Sequence, residues 1–170
     1  VATPVDLDDF APTGTRLDLD RLAGRPAAPS GVTRVGLVAT YARWKGHEVF
    51  LDAMKQLALR SSIRGYIIGG PIYDTPNSQF TRGELQTMID SRDLDGCVGL
   101  TGFVESAPAM RALDVIVHAS TEPEPFGLVI AEAMACGRPV VTTGEGGAAE
   151  LVVHGHDALV AAPVLLEARP

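Results

Sequence analysis

Val115-Ile-Val-His-Ala-Ser-Thr-Glu-Pro-Glu-Pro-Phe-Gly-Leu-Val-Ile-Ala-Glu-Ala-Met-Ala-Cys136 joins an apolar strand, a polar loop and an apolar helix in one run, and that order decides the fold. Val115–Ala119 is short, β-branched and followed by polar residues, the pattern of a buried strand. Pro125 disfavours helix at the residue before it, so the spacing predicts Glu124 in extended chain just outside the helix. The helix is expected to begin near Phe126 or Gly127. It runs through Leu128–Cys136 and stops at Gly137, a residue suited to a left-handed cap.

The same alternation extends both ways. Val32–Thr40, Ile63–Ile68 and Val98–Leu100 read as strands before this one, and Pro139–Thr142 and Ala158–Ala161 as strands after it. Between them Gly46–Arg60, Thr81–Asp93, Pro108–Leu113 and Ala148–Val153 read as helices. Strands alternating with helices predict an α/β fold, a parallel six-stranded sheet with helices on both faces. Several strands are apolar throughout, as a sheet covered on both sides requires. Residues 1–31, rich in Pro, Asp and Gly and without a period, read as a linker or wrapping segment outside the core. Residues 32–162 then form one domain, and 163–170 a tail. Ligands of such sheets sit beyond the carboxyl ends of the strands. That directs attention to loops 40–46, 69–77, 101–106, 119–127 and 143–148.

Bulk composition narrows the function. The 170 residues carry a formal net charge of −7, which argues against nucleic acid held by the bulk field of the domain. No apolar run is long enough to span a bilayer, and the start lacks the basic and apolar regions of a signal peptide. Cys97 and Cys136 match no metal or redox spacing and read as small buried hydrophobes in a reduced, cytoplasmic setting. No His, Asp or Cys cluster has metal-ligand spacing. His118, at a strand end, reads as packed, and His47, His154 and His156 as surface residues.

The chemistry gathers on the opening stretch. The first amides of the helix after Gly127 lack intrahelical partners and form a site for a phosphate, which Gly127 lets approach closely. The helix is apolar all round except for Glu132, so it is expected to be buried. An ionised Glu there needs a partner. That partner is either an Arg or backbone amide, or ligand hydroxyls, for which a ribose one turn beyond a phosphate is the natural source.

Glu124 and Glu132, eight positions apart with Pro125-Phe126-Gly127 between them, resemble the Glu-x7-Glu motif of family 4 glycosyltransferases. Those enzymes have the two-domain GT-B fold, and the resemblance identifies residues 32–162 with the Rossmann-like, nucleotide-sugar-binding C-terminal half. It implies that Glu124 contacts the transferred sugar, that Glu132 holds the ribose, and that the amides around Phe126, Gly127 and Leu128 bind the diphosphate. Trp44-Lys45-Gly46 resembles the Lys-Gly of the family pattern, whose Lys neutralises the diphosphate as the nucleotide departs. A solvated loop Lys is the plainer alternative.

The family has Gly-Arg five residues before that Lys, where this chain has Ala39-Thr40. Thr40 then offers a hydroxyl, and Arg43 reaches the same volume from a shifted position. Gly102, Phe103 and Val104 resemble the loop whose backbone frames the base. Gly146-Gly147-Ala148-Ala149-Glu150 resembles the family's Gly-Gly-x-x-Glu, as a turn or as a ligand contact.

The implied function is donor binding in a retaining glycosyltransferase that moves a hexosyl group from a UDP- or GDP-sugar, without metal or cofactor, to a glycan, lipid or small-molecule acceptor. Glu124 and Lys45 are the implied catalytic residues. Val5–Pro12 resembles the interdomain segment, which implies an absent N-terminal acceptor domain. Any peripheral membrane contact belongs to that domain, and the chain alone is expected to bind nucleotide with little or no transfer. A non-catalytic nucleotide-binding module derived from such an enzyme is the alternative. A GT-B epimerase or phosphorylase is disfavoured by the Pro-Phe-Gly insert.

Overall fold

In the computed structural model, β1 (Thr33–Val38), β2 (Ile63–Ile68), β3 (Val98–Gly102), β4 (Val115–His118), β5 (Val140–Thr142) and β6 (Leu159–Val160) form one sheet in the order β3-β2-β1-β4-β5-β6. Every pairing is parallel. The structure describes residues 5–72, 75 and 77–161, so the expected tail 163–170 and part of the 69–77 loop lie outside the described residues. The strand order reverses between β1 and β4, where Val35 faces Val115 and Leu37 faces Val117. The chain leaves those two strands toward opposite faces of the sheet, and in such folds the ligand crevice lies at their carboxyl ends.

Side-chain alternation along each strand divides the core. Ile67 and Leu37 point to one face, against Phe50, Leu51 and Met54 of α2 (His47–Ala58) and Leu85 and Ile89 of α3 (Arg82–Ser91). Tyr66, Ile68 and Ile116 point to the other. There they meet Met110 of α4 (Ser106–Arg111) and Ile130 and Ala133 of α5 (Leu128–Ala135). Helix α3 starts with a reciprocal capping box between Thr81 and Glu84, which satisfies two otherwise orphaned N–H groups. The apolar run predicted α5 to be buried all round. Its fully buried positions are instead one stripe, Ile130, Ala133 and then Cys136, because the flank carrying Val129 and Glu132 lines a cleft.

The segment before Val32, expected to stay outside the core, inserts into it. A short helix α1 (Leu19–Leu22), capped by the Asp18 side chain, buries Leu19 among Tyr66, Met110 and Leu113. Asp20 Oδ1 accepts from Tyr66 at 2.6 Å and from Arg64 at 2.7 Å, and Oδ2 accepts from the Ala28 N–H at 2.8 Å. Buried Arg111 donates to the carbonyls of Thr15 and Asp9. The attachment is polar and carries no apolar period, so periodicity does not reveal it.

Close backbone contact joins the loops around the crevice. Gly46 has φ +76°, and a Cβ there would lie 1.9 Å from the Ala119 carbonyl oxygen. Gly46→Ala is therefore expected to cost about 2–3 kcal/mol, from left-handed strain plus forced separation of the two loops. Urea unfolding measures it, and a cost below about 0.5 kcal/mol would mean that the loops do not pack so closely.

Candidate functional site

The loops after β1 and β4 are tied together before any side chain is considered. Trp44 of the 3-10 turn Arg43–Lys45 offers its carbonyl to the Thr121 N–H at 2.8 Å. Beyond it, Glu124 lies in extended chain, bridged to Gly146, and its carbonyl accepts from the Gly147 N–H at 2.6 Å. A Cβ at Gly147 would lie 2.1 Å from the Pro125 oxygen. The Gly-Gly pair thus permits one backbone to lie on another, the turn alternative of the two foreseen.

This frame brings Lys45 and Glu124 together. Lys45 Nζ is 2.6 Å from Glu124 Oε1, with the two side chains 14% and 13% exposed. The ammonium also stands 4.0 Å from the centroid of the Trp44 ring. Glu124 Oε2 lies 2.5 Å from His118 Nε2 and accepts from Ser120 Oγ at 2.9 Å. Burial alone would raise the Glu124 pKa. Hydrogen bonds from His118 and Lys45, the Lys45 charge and the Ser120 hydroxyl outweigh it and hold the carboxyl at about 2.

A cleft of about 180 Å³ opens past the carboxyl ends of β1 and β2, lined by Thr40, Phe103, Val104, Ser106, Val129 and Glu132. Half-buried Glu132 has no hydrogen-bond donor among the described residues, and burial raises its pKa. The Arg or amide partner considered for it is absent among the described residues. The Thr40 hydroxyl is also buried without a partner among the described residues. At the start of α5, the N–H groups of Leu128 and Val129 find no acceptor among the described residues; the first helical bond, at 2.9 Å, is from Ile130 to Gly127. Gly127 itself has φ +60° as the helix cap, so backbone conformation accounts for that glycine directly. Gly102 is likewise left-handed at +78° and turns the chain so that Phe103, 62% exposed, stands over Gly70.

The Arg43 side chain stands elsewhere. Arg43 donates to the Asn77 carbonyl, pairs with Glu84 at 3.2 Å and lies over the Phe80 ring, so it does not join Lys45. Phe126 projects outward, 62% exposed.

His47, read as a surface residue, is fully buried between the rings of Tyr41 and Phe80. Burial, and after it the Lys45 charge, lower its pKa to about 4. His154 and His156 are exposed. His118 is packed, as expected, but it also bonds the Glu124 carboxylate, and sequence reasoning missed that role. The available signal was a titratable residue on the same strand face as Ile116, two residues before Ser120 and six before Glu124.

A larger apolar hollow of about 290 Å³ lies at the amino ends of β4 and β5, away from these groups. Among the described residues no three or more His, Cys, Asp or Glu side chains are grouped to hold a metal ion, and no helix is long and apolar enough to cross a membrane.

A parallel sheet with a cleft beyond its carboxyl ends, where Glu132 and the Thr40 hydroxyl lack partners among the described residues, defines a ligand-binding α/β class. A match to the family described as glycosyl transferases group 1 covers residues 32–168, and the chain belongs to that family. It is 34% identical over 137 residues to the mannosylfructose-phosphate synthase of Agrobacterium fabrum, covering 78% of this chain and 29% of that protein. The structure of Anabaena Alr3699/HepE in complex with UDP and glucose matches with a TM-score of 0.78 at 30% identity, over 95% of this chain and 42% of that one. The C-terminal domain of a glycosyl transferase group 1 family protein (LpcC) from Francisella tularensis matches with a TM-score of 0.74 at 25% identity, over 95% of this chain and 81% of that domain. The fold is thus the Rossmann-like one of GT-B glycosyltransferase structures. The chain spans 29–38% of the length of the curated relatives it matches.

Proposed function

We propose that this chain binds the nucleoside-diphosphate-sugar donor of a retaining glycosyl transfer, with a UDP-sugar as the first candidate. The observation that carries the proposal is the Glu132 carboxylate, half-buried on a cleft wall with no donor among the described residues. Such a group costs stability unless a ligand supplies its hydrogen bonds. Ribose hydroxyls would supply them. The diphosphate would then take the open N–H groups of Leu128 and Val129 and the Lys45 ammonium, and the Thr40 hydroxyl would face the same cleft. Gly102, Phe103 and Val104 would frame the base, and Glu124 would face the sugar. The HepE complex with UDP and glucose supports this choice of ligand class.

Transfer itself would use the remainder of a longer enzyme for the acceptor. The match to an isolated C-terminal domain is consistent with that division. A reducing cytoplasm, with both thiols free, and metal-independent chemistry complete the proposal. One observation favours a non-catalytic nucleotide-binding module instead. Arg43 is held by Glu84 while Thr40 occupies the family's Arg position, which leaves Lys45 as the cation beside Glu124.

The test is calorimetric titration with UDP, GDP and ADP on the native chain and Glu132→Gln. At least one nucleotide is expected to bind, and Glu132→Gln to weaken it about tenfold. The stability sign is opposite. Because burial raises the Glu132 pKa, its contribution is full below the unfolded carboxyl value and is lost as pH rises through the folded one. Removing the charge should therefore raise Tm at neutral pH by about 2 °C. A variant that binds nucleotide as the native chain does would sink the ribose assignment.

A further inference from the structure

Hydrogen-bond chemistry around Glu124 constrains the protons of its neighbours. An ionised carboxylate only accepts, so His118 Nε2, 2.5 Å from Glu124 Oε2, must carry a hydrogen. The Ser120 hydroxyl gives its proton to the same oxygen at 2.9 Å, so its contact with Nε2 at 3.2 Å also requires hydrogen on the imidazole. In the neutral ring Nδ1 is then an acceptor, and Thr142 Oγ1 lies 3.0 Å from it. Thr142 can donate to it while its own oxygen receives the Gly144 N–H at 3.1 Å. Gly144 makes that reach with φ +67°, on a turn where a Cβ would lie 2.6 Å from Val160. Thr142 is 1% and His118 6% exposed, so water does not compete for these bonds. A backbone N–H, a hydroxyl, an imidazole and one oxygen of Glu124 thus form a continuous chain of hydrogen bonds.

The two carboxylate oxygens are thereby divided. Oε2 belongs to His118 and Ser120, both buried, and Oε1 to Lys45, a cation on a flexible stem. We propose that His118 is a positioning residue for Glu124, holding Oε2 through the Gly144–Thr142–His118 relay so that Oε1 turns to the donor's sugar when Lys45 is drawn to the diphosphate. The inference rests on the donor-binding reading above. It assigns His118 and Thr142 a task that touches neither nucleotide nor sugar, so their replacement should weaken the sugar's share of binding and spare that of UDP.

Two measurements test it. In the chain labelled with ¹⁵N-histidine, long-range ¹H–¹⁵N correlation at neutral pH should find His118 with hydrogen on Nε2 and none on Nδ1, and Thr142→Val should erode that preference. A hydrogen on Nδ1 in the native chain overturns the relay, whatever the chain binds. Titrations then compare UDP with the tightest of UDP-glucose, UDP-galactose and UDP-N-acetylglucosamine. His118→Leu should weaken the UDP-sugar about tenfold and UDP less than about twofold, and His118→Gln, which offers an amide N–H near the Nε2 position, should restore most of the loss.

Equal weakening of both ligands, no weakening, or no rescue by Gln overturns the proposal. So does a native chain that binds UDP but none of the three sugars. A native chain that binds neither UDP nor any UDP-sugar overturns the UDP-sugar reading as well, which separates the two failures. Should His118→Leu not fold, Thr142→Val and His118→Gln decide through the same ligand ratio and the tautomer.

Discussion

Lys45→Met is expected to weaken UDP binding about 100-fold with the fold retained. The expectation follows from where the ammonium stands. Lys45 Nζ sits 2.6 Å from Glu124 and over the Trp44 ring, at the edge of the crevice onto which α5 turns two open N–H groups. Neutral amides can bond a diphosphate but cannot offset its charge, and Arg43 is committed to Glu84. On the proposed reading Lys45 would therefore carry most of the neutralisation. Removing it also takes one of the groups that hold Glu124 at about 2, yet His118 and Ser120 remain, so Glu124 should stay ionised at neutral pH. Lys45→Met should accordingly flatten the salt dependence of UDP binding, which Glu132→Gln should not. Calorimetry at two ionic strengths reads both, and a Met variant with native affinity and native salt slope would remove Lys45 from the diphosphate site.

What the sequence reveals of this arrangement follows from what each signal measures. Apolar β-branched runs report burial on both faces of a parallel sheet, so β1, β2, β4 and β5 are legible directly. Glu132 is legible because one carboxylate in an apolar helix is costly wherever the helix sits. His47 is misread because a polar residue in the first turn of a helix ordinarily faces water. Here Tyr41 and Phe80, brought in by separate loops, close around it. Arg43 is misplaced for a related reason, since residue spacing gives reach but does not reveal the competing Glu84. The glycines at 46 and 147 mark close approach, and the approaching group is backbone. α1 is illegible because Asp20 anchors it more by charge than by an apolar period.

That last anchor carries the largest expected effect on stability. Asp20→Asn should destabilise the chain by about 3 kcal/mol at neutral pH, because it strands Arg64 and Tyr66 around a group that no longer carries charge. Asp20 is 4% exposed. Burial pushes its pKa up, but the hydrogen bonds of Tyr66, Arg64 and the Ala28 amide, with the Arg64 charge, bring it to about 2. Reciprocally, burial and the Asp20 bond push the Tyr66 phenol to about 12.

A carboxylate with a lowered folded pKa contributes stability that is present above its unfolded value and lost as pH falls through the folded one. The native chain should therefore lose stability between about pH 4 and pH 2, and Asp20→Asn should flatten part of that limb. Tyr66→Phe, which removes one bond and leaves both charges paired, should cost about 1 kcal/mol and keep the limb intact. Neither change lies at the crevice, so both variants should bind UDP as the native chain does. Denaturant unfolding at pH 7 and pH 3 distinguishes the cases. A loss below about 1 kcal/mol for Asp20→Asn, with the acid limb unchanged, would mean that the network behaves as an exposed ion pair and that apolar packing and the Arg111 bonds hold the segment in place.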